Sequence, residues 1–130
     1  MIMARTVVVL DPAGFAKIDA LADRCVGNVT DAVERDANRK VPVDTGELAS
    51  SIHSLHTGDT GRVFVGTDHW APTEYGSRPH IIRAHGDYAL ANRETGFYAA
   101  SGVVNHPGTP EQAFMRPALY TKRRIRPGRA

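Results

Sequence analysis

A chain of 130 residues, 42% hydrophobic and 23% charged, fits one compact domain with a modest core. Its single cysteine, Cys25, excludes an internal disulfide and a cysteine-rich zinc site, and no apolar run approaches the ~18 residues that a membrane span needs. The net charge of +2 is divided unevenly: Arg116, Lys122, Arg123, Arg124, Arg126 and Arg129 are six of the 16 basic residues and no acid follows Glu111, so an acidic body carries a basic C-terminal tail.

In chain order, residues 6–10 read as a short strand, because Val7, Val8 and Val9 are stiff at Cβ and favour extended backbone. This opening is apolar but short and has no cleavage-like end, which is not the pattern of a secretory signal. Asp11 and Pro12 form a helix start, Asp as N-cap and Pro at the first helical position. Phe15, Ile18, Leu21, Ala22, Cys25, Val26, Val29, Val33 and Ala37 then recur at three- and four-residue spacing, one apolar face of a helix of about seven turns. Lys17, Asp19, Asp23, Arg24, Asp31, Glu34 and Arg35 take the other face. Cys25 is expected to be buried as a small apolar residue. Gly27 and Asn28 weaken the middle of the helix by ~1 kcal/mol relative to alanine and mark a place for a kink.

Pro42 ends this helix, since the residue before a proline is pushed out of the α region. Asp44 and Glu47, three apart ahead of a short apolar pair, signal a new helical start over residues 47–51, and Gly46 lets the backbone turn sharply before it. A β-hairpin should follow, 52–56 with 62–67 around a 57–61 turn, with Val63 and Val65 on one face. Asp68 is expected to cap a short helix over 69–75 that holds Trp70, Ala71 and Tyr75, with Pro72 tolerated in its first turn and Gly76-Ser77 as its end. Residues 78–83 read as extended, and 87–91 and 97–104 as two further strands. Two prolines and a glycine make 105–110 irregular. Residues 111–124 are helical in pattern, with Phe114, Met115, Ala118 and Leu119 apolar and Pro117 delaying the start to near Met115; 126–129 read as a frayed end. The class is α+β, a long N-terminal helix packed on a small, mostly antiparallel sheet with short peripheral helices, in one domain over residues 1–120 followed by the basic tail, 121–130.

Chemistry is hard to find in this pattern. Six histidines (His53, His56, His69, His80, His85 and His106) lack ligand spacing, and His53 and His56, three apart in a strand, fall on opposite faces. Ser50, Ser51, Ser54 and Ser101 lie in no Gly-x-Ser-x-Gly elbow. Gly58, Gly61 and Gly66 make no phosphate loop. The expectation is no enzyme, no metal and no cofactor. Two features invite a partner. Lys122, Arg123, Arg124 and Arg126 form either a solvated end or a contact with DNA phosphates or an acidic neighbour. Trp70 and Tyr75 are either core or aromatic anchors at a subunit interface.

Four segments together resemble a known family. The run from Val41-Pro42-Val43-Asp44-Thr45-Gly46 through Leu48 to Ser51-Ile52 is similar to its Pro-Val-Asp-Thr-Gly-x-Leu-x-x-Ser-Ile signature. Val63-Phe64-Val65-Gly66-Thr67 is similar to its Val-x-Val-Gly-Thr strand. Trp70-Ala71 followed by Glu74-Tyr75-Gly76-Ser77-Arg78-Pro79-His80 is similar to a third run, with Trp70 for the usual Tyr and Ser77 for the usual Thr. His106-Pro107-Gly108-Thr109 and Phe114-Met115-Arg116-Pro117-Ala118-Leu119 resemble its closing segment. The family is that of the small neck or tail-completion proteins of long-tailed bacteriophages, also described as gene-product-ten-like tail components.

The resemblance covers residues 10–120 and implies a virion structural protein at the head–tail junction, made in the host cytoplasm. It implies a homo-oligomeric ring, hexameric or dodecameric, around the DNA channel. Its neighbours would be the head-closure (stopper), tail-terminator and tail-tube proteins, with non-specific DNA contact in the channel and no membrane. A tail terminator of the same neck is the alternative; a small non-specific DNA-binding module, and a small hydrolase or toxin with a His–carboxylate site, are further ones. Asp59, Trp70, Glu74, Tyr75, Arg78 and His80 are the expected subunit interface, and Pro42, Asp44, Thr45, Gly46, Gly76, Pro107, Gly108 and Pro117 the expected structural motif.

Overall fold

The computed structural model describes residues 7–86, 88–93 and 95–125. Helix α1 (Pro12–Lys40) begins as the sequence dictates: the Asp11 carboxylate accepts the Ala13 N–H at 3.0 Å, and Pro12 occupies the first turn. It runs unbroken for 29 residues, through Gly27 and Asn28. Gly27 is a point of close approach. A Cβ there would lie 2.9 Å from the His56 ring, which packs across the helix at that level. The helix stops at Val41, whose backbone is extended ahead of Pro42. Residues 7–10 join no strand and are exposed; β-branched residues favour extended backbone, but a ladder needs a partner, and among the described residues none pairs with them.

After α1, Gly46 adopts φ 83° and α2 (Glu47–Ser50) follows. Thr45 rather than Asp44 stands nearest to a side-chain cap, its Oγ1 accepting the Glu47 N–H at 3.4 Å, while Asp44 is exposed. Strands β1 (Ile52–Thr57) and β2 (Thr60–Val65) pair antiparallel with Ile52 opposite Val65 and Thr57 opposite Thr60. The turn is therefore only Gly58-Asp59, shorter than expected, and Gly58 at φ 58° makes it possible. One face of the hairpin packs on α1. Gly61 is where the two elements cross, since a Cβ there would meet Thr30 Oγ1 at 1.9 Å.

Helix α3 (Trp70–Tyr75) starts from His69, not Asp68, and ends at Gly76, φ 71°. Strands β3 (His80–Arg83), β4 (Leu90–Asn92), β5 (Phe97–Ala99) and β6 (Val103–His106) follow. The expected strand over 97–104 is cut in two at Gly102, φ 64°, which is buried so tightly that a Cβ would lie 2.5 Å from the Tyr88 carbonyl. Asn105 and His106, expected in a loop, complete β6. The anticipated small sheet is thus three separate two-stranded antiparallel ladders, β1–β2, β3–β6 and β4–β5. Helix α4 (Met115–Tyr120) starts at Met115 and is shorter than the 111–124 pattern. Pro117 explains the start: its ring would clash with the carbonyl four residues back, so it must lie in the first turn.

The core is small. Val33, Ala37, Val41, Ile52, Phe114 and Ala118 are buried, with Leu48, Ala49, Val63, Val65, Trp70 and Met115 packed against them. All the α1 residues in it come from the C-terminal half of that helix. Among the described residues no helix is long and apolar enough to cross a membrane.

Candidate functional site

Behind the core lies a clamp that joins α3 to α4. The first backbone N–H groups of a helix have no partner within it, and here one carboxylate from another element supplies it. Glu74 is 1% exposed. Its Oε2 accepts the N–H groups of Phe114 and Met115 at 2.8 and 2.9 Å, and its Oε1 accepts the N–H and the Nε–H of Arg116 at 2.9 and 3.0 Å. Arg116 also donates to the Glu74 carbonyl at 2.9 Å and to the Glu111 carboxylate. Its guanidinium lies over the Tyr75 ring, 4.6 Å from the centroid. Burial pushes the Glu74 carboxyl up, but the bonds from Phe114, Arg116 and Met115 outweigh it and hold the group below its ordinary value.

A second seam closes beside the first. Ser77 and Thr109 exchange backbone hydrogen bonds at 2.9 and 3.1 Å, and the Gln112 N–H reaches the Thr73 carbonyl at 2.9 Å. The backbones approach so closely that only glycine fits: a Cβ on Gly76 would lie 2.7 Å from the Thr109 carbonyl, and one on Gly108, at φ 88°, 2.3 Å from the Ser77 carbonyl. Pro42, Asp44, Thr45 and Gly46 border a recess of about 290 Å³ together with Thr73, Thr109 and Pro110, so the first motif run reaches the same seam. Pro107 is exposed beside Gly108.

The residues expected at a subunit interface separate into different roles. Glu74 is a correction: its carboxylate is buried and fully bonded within the monomer. Trp70 is half-buried against the core, its ring 6.3 Å from Tyr75. Tyr75, Arg78 and His80 are exposed; His80 stacks on His106 across the β3–β6 ladder at 4.9 Å and its Nδ1 lies 2.8 Å from the Arg78 carbonyl. Asp59 is exposed at the hairpin tip, accepting from Thr60 Oγ1 at 3.0 Å. In the tail, Arg123 is not free to reach an anionic partner. It donates to the Asp36 carboxylate and, at 2.6 Å, to the Ala118 carbonyl. The Arg123 bond holds the Asp36 carboxyl below its usual range. Lys122 and Arg124 are exposed, and Arg126 lies outside the described residues.

Sequence reasoning missed where the apolar surface stays bare. Phe15, Ile18 and Leu21 are 51%, 62% and 40% exposed, and residues 7–10 more so. Cys25, expected in the core, is half-buried and lines a groove of about 590 Å³ together with Val26, Val29, Val63, Met115 and Leu119. Periodicity identifies the apolar face of a helix but not how far it is covered. At 1.5 Å per residue α1 is about 43 Å long, whereas a six-residue hairpin spans about 20 Å. The length mismatch was the available signal. Among the described residues, no group of three or more His, Cys, Asp or Glu side chains is placed to hold a metal ion.

Compared with protein-family models, with curated proteins and with solved structures, the chain matches none.

Proposed function

We propose that this chain is a structural subunit of the head–tail junction of a long-tailed bacteriophage, a tail-completion or head–tail joining protein that acts as one copy of a ring around the DNA channel. The observation that carries the reading is the apolar N-terminal half of α1, where Phe15, Ile18 and Leu21 are left exposed by the described residues. Contiguous apolar surface of this kind is a mark of interaction sites. The motif runs that resemble the neck family support it from the other side. Their glycines and Glu74 close the α3–α4 clamp, which holds the monomer together and encloses no reactive pocket. Such a division suits a subunit whose work is to fit against other subunits.

Disrupting the gene in the phage that encodes it tests the proposal. Filled heads and finished tails that accumulate separately are the expected outcome, reversed when the protein is supplied in trans. Tailed, infectious particles that lack the protein would overturn it.

A further inference from the structure

We propose that residues 7–10 of one copy add a third strand to the open edge of β3 in a second copy, head to tail. The inference rests on the reading above and deepens it, by naming the surfaces through which copies of this chain join.

Every copy carries both a donor and an acceptor. Val7, Val8, Val9 and Leu10 are an unbroken apolar run, the pattern of a strand covered on both faces. They are neither helix, turn nor strand, each is more than two-thirds exposed, and among the described residues their backbone makes no hydrogen bond. The acceptor is β3. Where the β3–β6 ladder runs out, the Ala84 N–H donates to the Gly102 carbonyl at 2.7 Å. Antiparallel bonding alternates, so Ile82 and His80 also face β6, and the N–H and C=O groups of Ile81 and Arg83 point the other way. Among the described residues no strand pairs with that edge. Ile81 and Ile82 lie on opposite faces of β3 and both are exposed, so this strand too is apolar on both sides and uncovered. An open row of this kind is a template for a further strand.

The other edges are less open. Ser101 Oγ accepts the Val103 N–H at 3.4 Å and donates to the Val103 carbonyl at 3.2 Å, which occupies the outer side of β6. Strands β4 and β5 have three residues each. The β1–β2 hairpin is longer, but α1 lies across one of its faces and Arg62 stands within β2, the kind of charge that guards an edge. Reach makes the partner a second copy. Among the described residues α1 meets the hairpin from Asp23 onward, whose carboxylate lies 3.9 Å from the His56 ring nitrogen; along the helix axis that is about 17 Å from Pro12. Four extended residues span about 13 Å, so an arm doubled back on its own helix stops short of the body. The elements packed along α1 are β1, β2 and α4, while β3 packs on β6. Donor and acceptor are different surfaces, so the contact is heterologous and passes from copy to copy, closing into a ring where the rotation allows. An arm held on β3 also brings the first turn of α1, with Phe15, up to the same neighbour.

Sedimentation velocity on the full chain over a concentration series, joined to residue-resolved amide exchange on the associated form, tests this. The unaltered chain is expected to associate. A Val8→Asp/Val9→Asp double variant should weaken association about tenfold or more, with circular dichroism and melting temperature unchanged, since both side chains are exposed. Ile81→Pro removes an outward N–H and no bond to β6, and should weaken association as much. Mixed in equal amounts, the two variants should form a one-to-one pair and nothing larger, because one keeps an intact edge and the other an intact arm. On association the Ile81 and Arg83 amides should gain protection, while that of Ile82, already bonded to β6, stays as it was. A monomeric unaltered chain, an arm variant that associates normally, two folded variants that stay monomeric when mixed, or protection that appears at β1 or β2 instead of at Ile81 and Arg83 would each overturn the docking. So would Ile81 and Arg83 amides already protected in the dilute monomer, which would put the arm on its own β3. Where Ile81→Pro does not fold, the arm variant and the exchange pattern decide the matter by themselves. Failure here is separable from that of the neck reading: heads and tails that remain uncoupled without the protein would leave that reading standing while the docking fell.

Discussion

The two halves of α1 share one apolar face but have different surroundings. From Val29 to Ala37 the face meets the β1–β2 hairpin and α4, and Val33 and Ala37 are buried. From Phe15 to Leu21 it meets nothing within the described residues. The same 3.6-residue pattern therefore builds a core in one half and a surface in the other. The difference is set by the length of the hairpin and by the clamp that fixes α4 in place, not by the helix itself. Apolar periodicity is a statement about what a helix can bury; which elements are long enough to bury it is a statement about the rest of the chain.

The largest way to break the comparison is to remove the clamp. Glu74→Ala leaves three backbone N–H groups and the Arg116 Nε–H without their acceptor, and should cost about 3–5 kcal/mol in a denaturant melt, enough to unfold a marginal domain. An unchanged midpoint would mean that the buried half is held by something else. Gly108→Ala comes next, at about 1–3 kcal/mol for the positive φ alone and more from the collision with the Ser77 carbonyl. Gly61→Ala should cost about 1–2 kcal/mol because its Cβ runs into Thr30 Oγ1. Adding Thr30→Ala should recover much of that loss, an interaction that a double-mutant cycle reads directly.

Acid sharpens the comparison without a mutation. The Glu74 carboxyl is held below its ordinary value of 4.5, so its contribution is complete above that pH and is lost as pH falls through the lower, folded value. Asp36, held down by Arg123, acts in the same direction. Unfolding midpoints should decline below pH 4.5, and Glu74→Gln should flatten the decline. The smallest expected effect belongs to the bare half: Phe15→Ser should change monomer stability by no more than about 0.5 kcal/mol, while the same substitution in the core half, Val33→Ser, should cost several times more.

Much of this was legible in the residues. Asp11-Pro12 and Val41-Pro42 fix the two ends of α1, Pro117 fixes the start of α4, and the turn chemistry at Gly58 and Gly76 fixes two reversals. What could not be read were pairings between distant segments. Glu74 sits 40 residues before Phe114, and nothing in either run says that a carboxylate from one short helix caps another. The resemblance puts Glu74 at a subunit interface, whereas its carboxylate caps α4 within the monomer. Gly102 stood inside an apparently continuous strand, and only its approach to the Tyr88 carbonyl explains why the strand breaks there. Arg123 looked like part of a loose basic tail, because its partner Asp36 lies 87 positions earlier. Val7, Val8 and Val9 have strand propensity and, among the described residues, no strand paired with them.

Hydrogen exchange, followed from dilute to concentrated protein, addresses the division between the two halves most directly. The amides of residues 30–40 and of α4 should be protected at every concentration, because the monomer itself holds them. Those of residues 12–24 should exchange fast when dilute and gain protection as copies join. Uniform protection along α1 in the dilute monomer, or an N-terminal half that stays unprotected in the assembled form, would contradict the claim that one half of this helix builds the subunit and the other is kept for its neighbour.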